Sequence, residues 1–157
     1  MVVEEGKKAP LFTLPDAVGE KVSLKELKGR WVVLYFYPRD NTPGCTKEAC
    51  AFGELHPQFE KCEATILGVS GDSQASHVKF TEKFDLPFTL LSDVECKIAT
   101  KYGVYREKNM YGKKKMGIVR STFVIDPAGK IARIFSPVKV AGHADAVLAA
   151  IVDERTS

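Results

Sequence analysis

Residues 31–50 read Trp31-Val-Val-Leu-Tyr-Phe-Tyr37-Pro38-Arg-Asp-Asn-Thr42-Pro-Gly-Cys45-Thr-Lys-Glu48-Ala-Cys50. The run from Trp31 to Tyr37 is apolar throughout and has the length of a buried strand. Pro38 stops that strand. Thr42-Pro43 then offers a helix start, with a hydroxyl cap and a proline at the first helical position. Cys45 therefore falls in the first turn of a helix that leaves the end of a central strand. Free N–H groups and the positive end of the helix dipole face a sulfur at that place. Such a setting favours thiolate over thiol. Cys50 stands near enough to trap what Cys45 becomes, so the stretch reads as the centre of a redox enzyme with an activated cysteine.

Outward from this stretch, the elements alternate. An extended segment near Phe12–Leu14, a turn at Val18-Gly19-Glu20 and a short helix Ser23–Leu27 precede the strand. A helix is expected from Thr42 to about Cys62. Ala64–Val69 is a second apolar strand, and Ser73 caps a helix through Phe84. A short strand Phe88–Leu91 follows Pro87, and Asp93 begins a short helix to Tyr102. Ile118–Ile125 and Lys130–Phe135 flank Asp-Pro-Ala-Gly, a hairpin signal. His143–Asp153 closes the chain as an amphipathic helix. A parallel βαβ unit joined to an antiparallel pair and a last helix is the element order of an α/β thioredoxin-like fold. A central mixed β-sheet flanked by helices is expected, with an N-terminal hairpin extension.

Composition narrows the class. The 157 residues suit one domain with a proper core, and 45% hydrophobic content is ordinary for a globular chain. No apolar stretch approaches the roughly 18–20 residues that span a bilayer. The first residues lack a basic end followed by an apolar stretch, so a cytoplasmic protein is expected. A net charge of +3 is too small to argue for nucleic acid. The four cysteines are separated by 4, 11 and 33 residues, without Cys-x-x-Cys and without histidines at ligand spacing. That pattern argues against a zinc site and against a disulfide-stapled scaffold.

Pro38, Thr42 and Cys45 form the pattern Pro-x-x-x-Thr-x-x-Cys, which resembles the active-site motif of the peroxiredoxins. Tyr-Phe-Tyr-Pro, Thr-Pro-Gly-Cys-Thr-Lys-Glu and a second cysteine five positions on are similar to the Q-type branch, also called the bacterioferritin comigratory protein group. The likeness continues in Gly68-Val-Ser-Gly-Asp72, Thr89-Leu-Leu-Ser-Asp93, Met110-Tyr-Gly-Lys113 and Arg120-Ser-Thr-Phe-Val-Ile-Asp126, and spans about residues 6–152. It implies a thiol peroxidase that reduces hydrogen peroxide and organic hydroperoxides without metal, haem or flavin. It further implies thioredoxin or a similar dithiol as the reductant.

Each candidate residue has a plainer reading beside the functional one. Thr42 can put its hydroxyl on the side of Cys45; by resemblance it bonds thiolate and peroxide, and otherwise it is a helix cap. Arg120 lies in the expected strand Ile118–Ile125, where a charge is out of place unless paired; the resemblance makes it the active-site arginine. Glu48, one turn beyond Cys45, holds that arginine by resemblance, although a glutamate near a helix start also suits the dipole. Pro38 is expected to shield Cys45 from water. Cys50 is the resolving partner by resemblance, and otherwise a small helix residue. Cys62 reads as core filler, and Cys96 is kept as a minor alternative for resolution. Residues 101–120 carry seven Lys/Arg against one Glu and read as a solvated loop, with docking of an acidic partner as the alternative. His143 starts the last helix, and nothing in the sequence places it near Cys45.

The chemistry itself sets a requirement. A free cysteine is only about 3% thiolate at pH 7, so full ionisation gains roughly thirtyfold, about 2 kcal/mol. Donors aimed at the two peroxide oxygens must supply more, because they act on charge that appears in the transition state. Two other readings stay open. A disulfide reductase shares the fold but usually carries Cys-x-x-Cys. A redox sensor or holdase would use the same cysteine as a switch. A monomer is the expected state by the same resemblance, because the long tail with a second cysteine that obligate dimeric relatives carry is not seen here.

Overall fold

A computed structural model describes residues 3–156. Met1 and Val2, which open the stretch read for a leader, and Ser157 lie outside the described residues. The apolar run becomes β3 (Trp31–Phe36), after the short antiparallel pair β1 (Thr13–Pro15) and β2 (Lys21–Ser23). Every residue of β3 is buried, as a central strand covered on both faces requires. It runs parallel to β4 (Ala64–Ser70), with Trp31 opposite Ala64 and Phe36 opposite Val69. On its other side it pairs antiparallel with β8 (Ser121–Ile125), Phe36 opposite Ser121. With β5 (Thr89–Ser92) beyond β4 and β9 (Ile131–Phe135) beyond β8, the order is β5-β4-β3-β8-β9. This is the mixed thioredoxin-like sheet.

Alternation along β3 divides the core. Val33, Tyr35 and Tyr37 meet Phe52, Phe59, Phe80, Val147 and Ile151 on one face. Those residues come from α1 (Pro43–Glu54), α2 (His56–Lys61), α3 (Gln74–Phe84) and α5 (His143–Thr156). Val32, Leu34 and Phe36 meet Phe12, Tyr102 and Phe123 on the other, where α4 (Lys97–Lys101) packs. A fully buried Leu or Phe at such a place contributes about 1.5–3 kcal/mol over an exposed one.

Three expected elements change. The helix from Thr42 to Cys62 is two helices, broken at Leu55. Pro57 has no N–H to offer the Gly53 carbonyl and sits instead in the first turn of α2, the place where proline is tolerated. The strand Ile118–Ile125 is also two. Its first part belongs to β7 (Lys113–Ile118), which pairs with β6 (Tyr105–Met110) in a separate hairpin. The basic run read as a loop is this hairpin. Between β7 and β8 the chain changes partners at Val119 and Arg120, whose backbone bonds go to Val104 and Val138. Finally, the Asp93 helix begins late. Asp93 stays outside it and caps it, accepting from the amides of Ile98 and Ala99 at 3.3 and 2.9 Å.

Candidate active site

Cys45 is the third residue of α1 and is 1% exposed. The change of partners after β7 takes Arg120 out of any strand and turns it toward the start of α1. Its Nη2 donates to Cys45 Sγ at 3.3 Å, and its Nη1 donates to Glu48 Oε1 at 2.7 Å. The planar fork thus spans one helical turn, touching residues three apart on the same face. Gly44 makes room for it. A Cβ there would stand 3.2 Å from Arg120 Nη2. The charges of Glu48 and Cys45 outweigh burial and hold the guanidinium proton more tightly than usual.

Glu48 is also 1% exposed, and its Oε2 is buried with no hydrogen-bond partner among the described residues. Burial pushes its carboxyl up to about 7, with Arg120 pulling the other way. The Tyr35 hydroxyl is likewise buried without a partner among the described residues. Burial first, and then the charge of Glu48, push that phenol well above its ordinary value.

The remaining sequence candidates fall as follows. Thr42 is the N-cap residue of α1 by position, but its hydroxyl makes no cap bond. It donates to the Arg39 carbonyl at 2.9 Å. The expected bond from Thr42 to the sulfur is therefore not made, because the single hydroxyl hydrogen is spent within the turn. Two oxygen lone pairs remain. Pro38 is exposed at the end of β3. Cys50 lies on α1 at half-buried depth beside Gly53, Glu54, Phe84 and Pro87, in a depression of about 320 Å³. Burial and Glu54 push its thiol up. Cys62 is buried at the end of α2, and Cys96 is the half-buried residue before α4. All four cysteines are free of disulfides.

Two residues that sequence reasoning did not bring here belong to the surroundings. His143 is buried at the start of α5, edge-on to Phe52 and Phe135, with Nε2 2.8 Å from Thr122 Oγ1. Burial and then the Arg120 charge push its ring down to about 4, so it is neutral near pH 7. Lys108, half-buried on β6, is lowered by burial and by the same guanidinium, while Cys45 opposes that shift. No sequence signal separates Lys108 from the lysines around it; its place follows only from the hairpin fold.

Residues 5–134 match the AhpC/TSA family. The chain belongs to that family. This peroxiredoxin is 52% identical over 143 residues to a putative peroxiredoxin bcp of Coxiella burnetii, covering 91% of this chain and 95% of that one. It is 48% identical to peroxiredoxin Bcp of Bacillus subtilis over 153 residues, 98% of each. Among solved structures, Xanthomonas campestris peroxiredoxin Q superposes with a TM-score of 0.87 at 47% identity, over 90% of each chain. The bacterioferritin comigratory protein of the same organism, solved in connection with its alkyl peroxide reduction activity, gives 0.90 at 43%, over 96% of this chain and 99% of that one. The chain thus lies in the Bcp/peroxiredoxin Q branch, and it is an oxidoreductase, a thiol-dependent peroxidase. Among the described residues no helix is long and apolar enough to cross a membrane.

Proposed function

We propose that this peroxiredoxin reduces hydrogen peroxide and organic hydroperoxides through Cys45 and resolves through Cys50. The contact that carries the reading is Arg120, which holds Glu48 with one nitrogen and Cys45 Sγ with the other. The Cys45 thiolate attacks the terminal peroxide oxygen. The O–O bond breaks, the sulfur becomes a sulfenic acid, and the leaving oxygen takes a proton to give water or an alcohol. Arg120 keeps donors beside both the sulfur and the developing charge. The free lone pairs of Thr42 accept the peroxide O–H. Glu48 holds the guanidinium, and Pro38 bounds the loop. The alkyl peroxide reduction activity of the Xanthomonas campestris relative supports organic substrates for this chain.

Cys50 then displaces water from the sulfenic acid and forms the disulfide. Both cysteines lie on the continuous helix α1. Five residues of helix separate them by about 7.5 Å of rise and turn them roughly 140° apart. A disulfide needs Cα atoms within about 7 Å and converging Cβ vectors. Residues 42–52 must therefore unwind, and the break at Leu55 gives that unwinding a ready end. Thioredoxin or a similar dithiol reduces the disulfide, and the protein acts as a cytoplasmic monomer. Steady-state peroxide consumption with a thioredoxin system is the test. Many turnovers per protein are expected; a single oxidation without turnover would instead identify a redox sensor.

A further inference from the structure

The loop between β3 and α1 is tied down at one residue. Asp40 is buried, and its Oδ1 accepts from the Tyr37 hydroxyl at 2.6 Å. Its Oδ2 accepts from the Ser76 hydroxyl at 2.7 Å and faces His77 Nδ1 at 2.7 Å. The Asp40 amide donates to Asp72 Oδ2 at 2.8 Å, an oxygen that also accepts from the Ser70 hydroxyl. Main chain and side chain of one residue thus join β3, the end of β4 and α3.

His77 is fully buried, and its Nε2 lies 3.0 Å from the Leu91 carbonyl. A carbonyl oxygen only accepts, so Nε2 carries a hydrogen. Burial raises the Asp40 carboxyl, but the bonds from His77, Tyr37 and Ser76 outweigh it and hold it below the usual range. The Asp40 carboxylate and the Leu91 carbonyl thus engage both ring nitrogens of His77, one on each side. The pair is a buried hydrogen bond, where removing one partner leaves the other uncompensated.

Beyond Asp40 the chain turns toward the sulfur. Asn41 is left-handed at φ +58°, Thr42 is extended, and α1 begins at Pro43. An asparagine tolerates that conformation, but something must hold it there. Loop 38–42 has no other tie of comparable depth among its described side-chain bonds. Thr42 bonds only within the turn, to Arg39, and Asn41 bonds the exposed Lys83.

We propose that Asp40 and His77 are positioning residues for the peroxide step: through loop 38–42 they set the first turn of α1, and so Cys45, against Arg120. This rests on the reading of Cys45 as the attacking sulfur. The pair also lies just upstream of the segment that unwinds, so it anchors the near end of that segment while the disulfide forms. The two halves of the cycle therefore depend on it differently. Peroxide reduction needs the first turn in place; disulfide formation needs it released.

Rapid mixing with hydrogen peroxide, followed by quenching and mass analysis, separates the rates of sulfenic acid and disulfide formation. Asp40→Asn and His77→Gln should each slow sulfenic acid formation about tenfold, as misplacement of a reacting group does, and leave disulfide formation as fast or faster. The double variant should lose little beyond either single variant, because the residues act as one unit. Ser76→Ala removes one bond to Asp40 at a half-buried position and covers the case in which the other variants fail to fold; it should slow the same step about threefold. A wild-type rate of sulfenic acid formation in folded Asp40→Asn, or in Ser76→Ala if the others do not fold, overturns the proposal. A parallel Cys45→Ser sample separates the two claims: oxidation of another cysteine at the wild-type rate there would refute the underlying reading instead.

Discussion

Replacing Glu48 by glutamine keeps the size of the side chain and an acceptor for Arg120, but removes its proton. In the folded chain the Glu48 carboxyl titrates at about 7, against 4.5 for an ordinary glutamate, chiefly because it is buried. The folded state therefore holds a proton that the unfolded state has released across that window. Stability supplied by this group is complete below pH 4.5 and is lost as pH rises through 7. The interval of about 2.5 pH units, at 1.36 kcal/mol each, is about 3 kcal/mol. Urea unfolding of the reduced wild type and of Glu48→Gln, at pH values from 4 to 8, measures it. The stability of the variant relative to wild type should climb by about 3 kcal/mol over that range, with most of the climb between pH 4.5 and 7. Taking the difference cancels groups common to both chains, such as Asp40 and His143. A difference that stays flat would refute the buried, poorly solvated Glu48. A difference that falls with pH would show that Arg120 outweighs burial and holds the carboxyl low.

Other outcomes rest on the same contacts. Arg120→Ala should slow the peroxide step by about a hundredfold or more, and Arg120→Lys should recover only part of that, because an ammonium cannot bond Cys45 and Glu48 in one plane; a wild-type rate in Arg120→Ala, read by stopped flow, would make the arginine structural. Peroxide-treated protein should yield a Cys45–Cys50 peptide, and amide exchange should accelerate across 42–52 but not across β3; a Cys45–Cys96 bond, or an unchanged α1, would contradict the unwinding. His143 is held down to about 4, so the stability it supplies is present above pH 6.5 and is lost as pH falls toward 4. His143→Gln should therefore lose less stability than wild type over that acid range.

Much of the fold could be read from the chain because burial left a pattern. The continuous apolar run of β3, the Ser73 cap and the Asp-Pro-Ala-Gly turn each carry a local reason for their structure. Ser73 does accept from the Ser76 amide, and Asp126 does accept from the amides of Ala128 and Lys130. The β6–β7 hairpin had no such signal. Its strands are mostly exposed, Lys108 faces Lys115 across it, and its ion pair of Lys114 with Glu107 is exposed and diagonal, so apolar alternation does not mark the register. The site divides the same way. Cys45 and Glu48 share a helix face and could be joined by counting turns. Arg120 comes from 72 positions beyond Glu48, and its approach depends on where β7 ends. Thr42 was legible as a cap by type and place, yet its hydroxyl went to Arg39, a choice made by the left-handed Asn41 turn. Asp40 and His77 lie 37 residues apart and meet only once α3 packs on the sheet.

The central claim is that Cys45 is the sulfur that breaks the O–O bond. Peroxide consumption by wild type and by Cys45→Ser, in the presence of excess dithiol and with folding checked by circular dichroism, tests it most directly. Catalytic consumption by wild type and none above background by folded Cys45→Ser is the predicted result. Turnover by Cys45→Ser at a rate near wild type would contradict it.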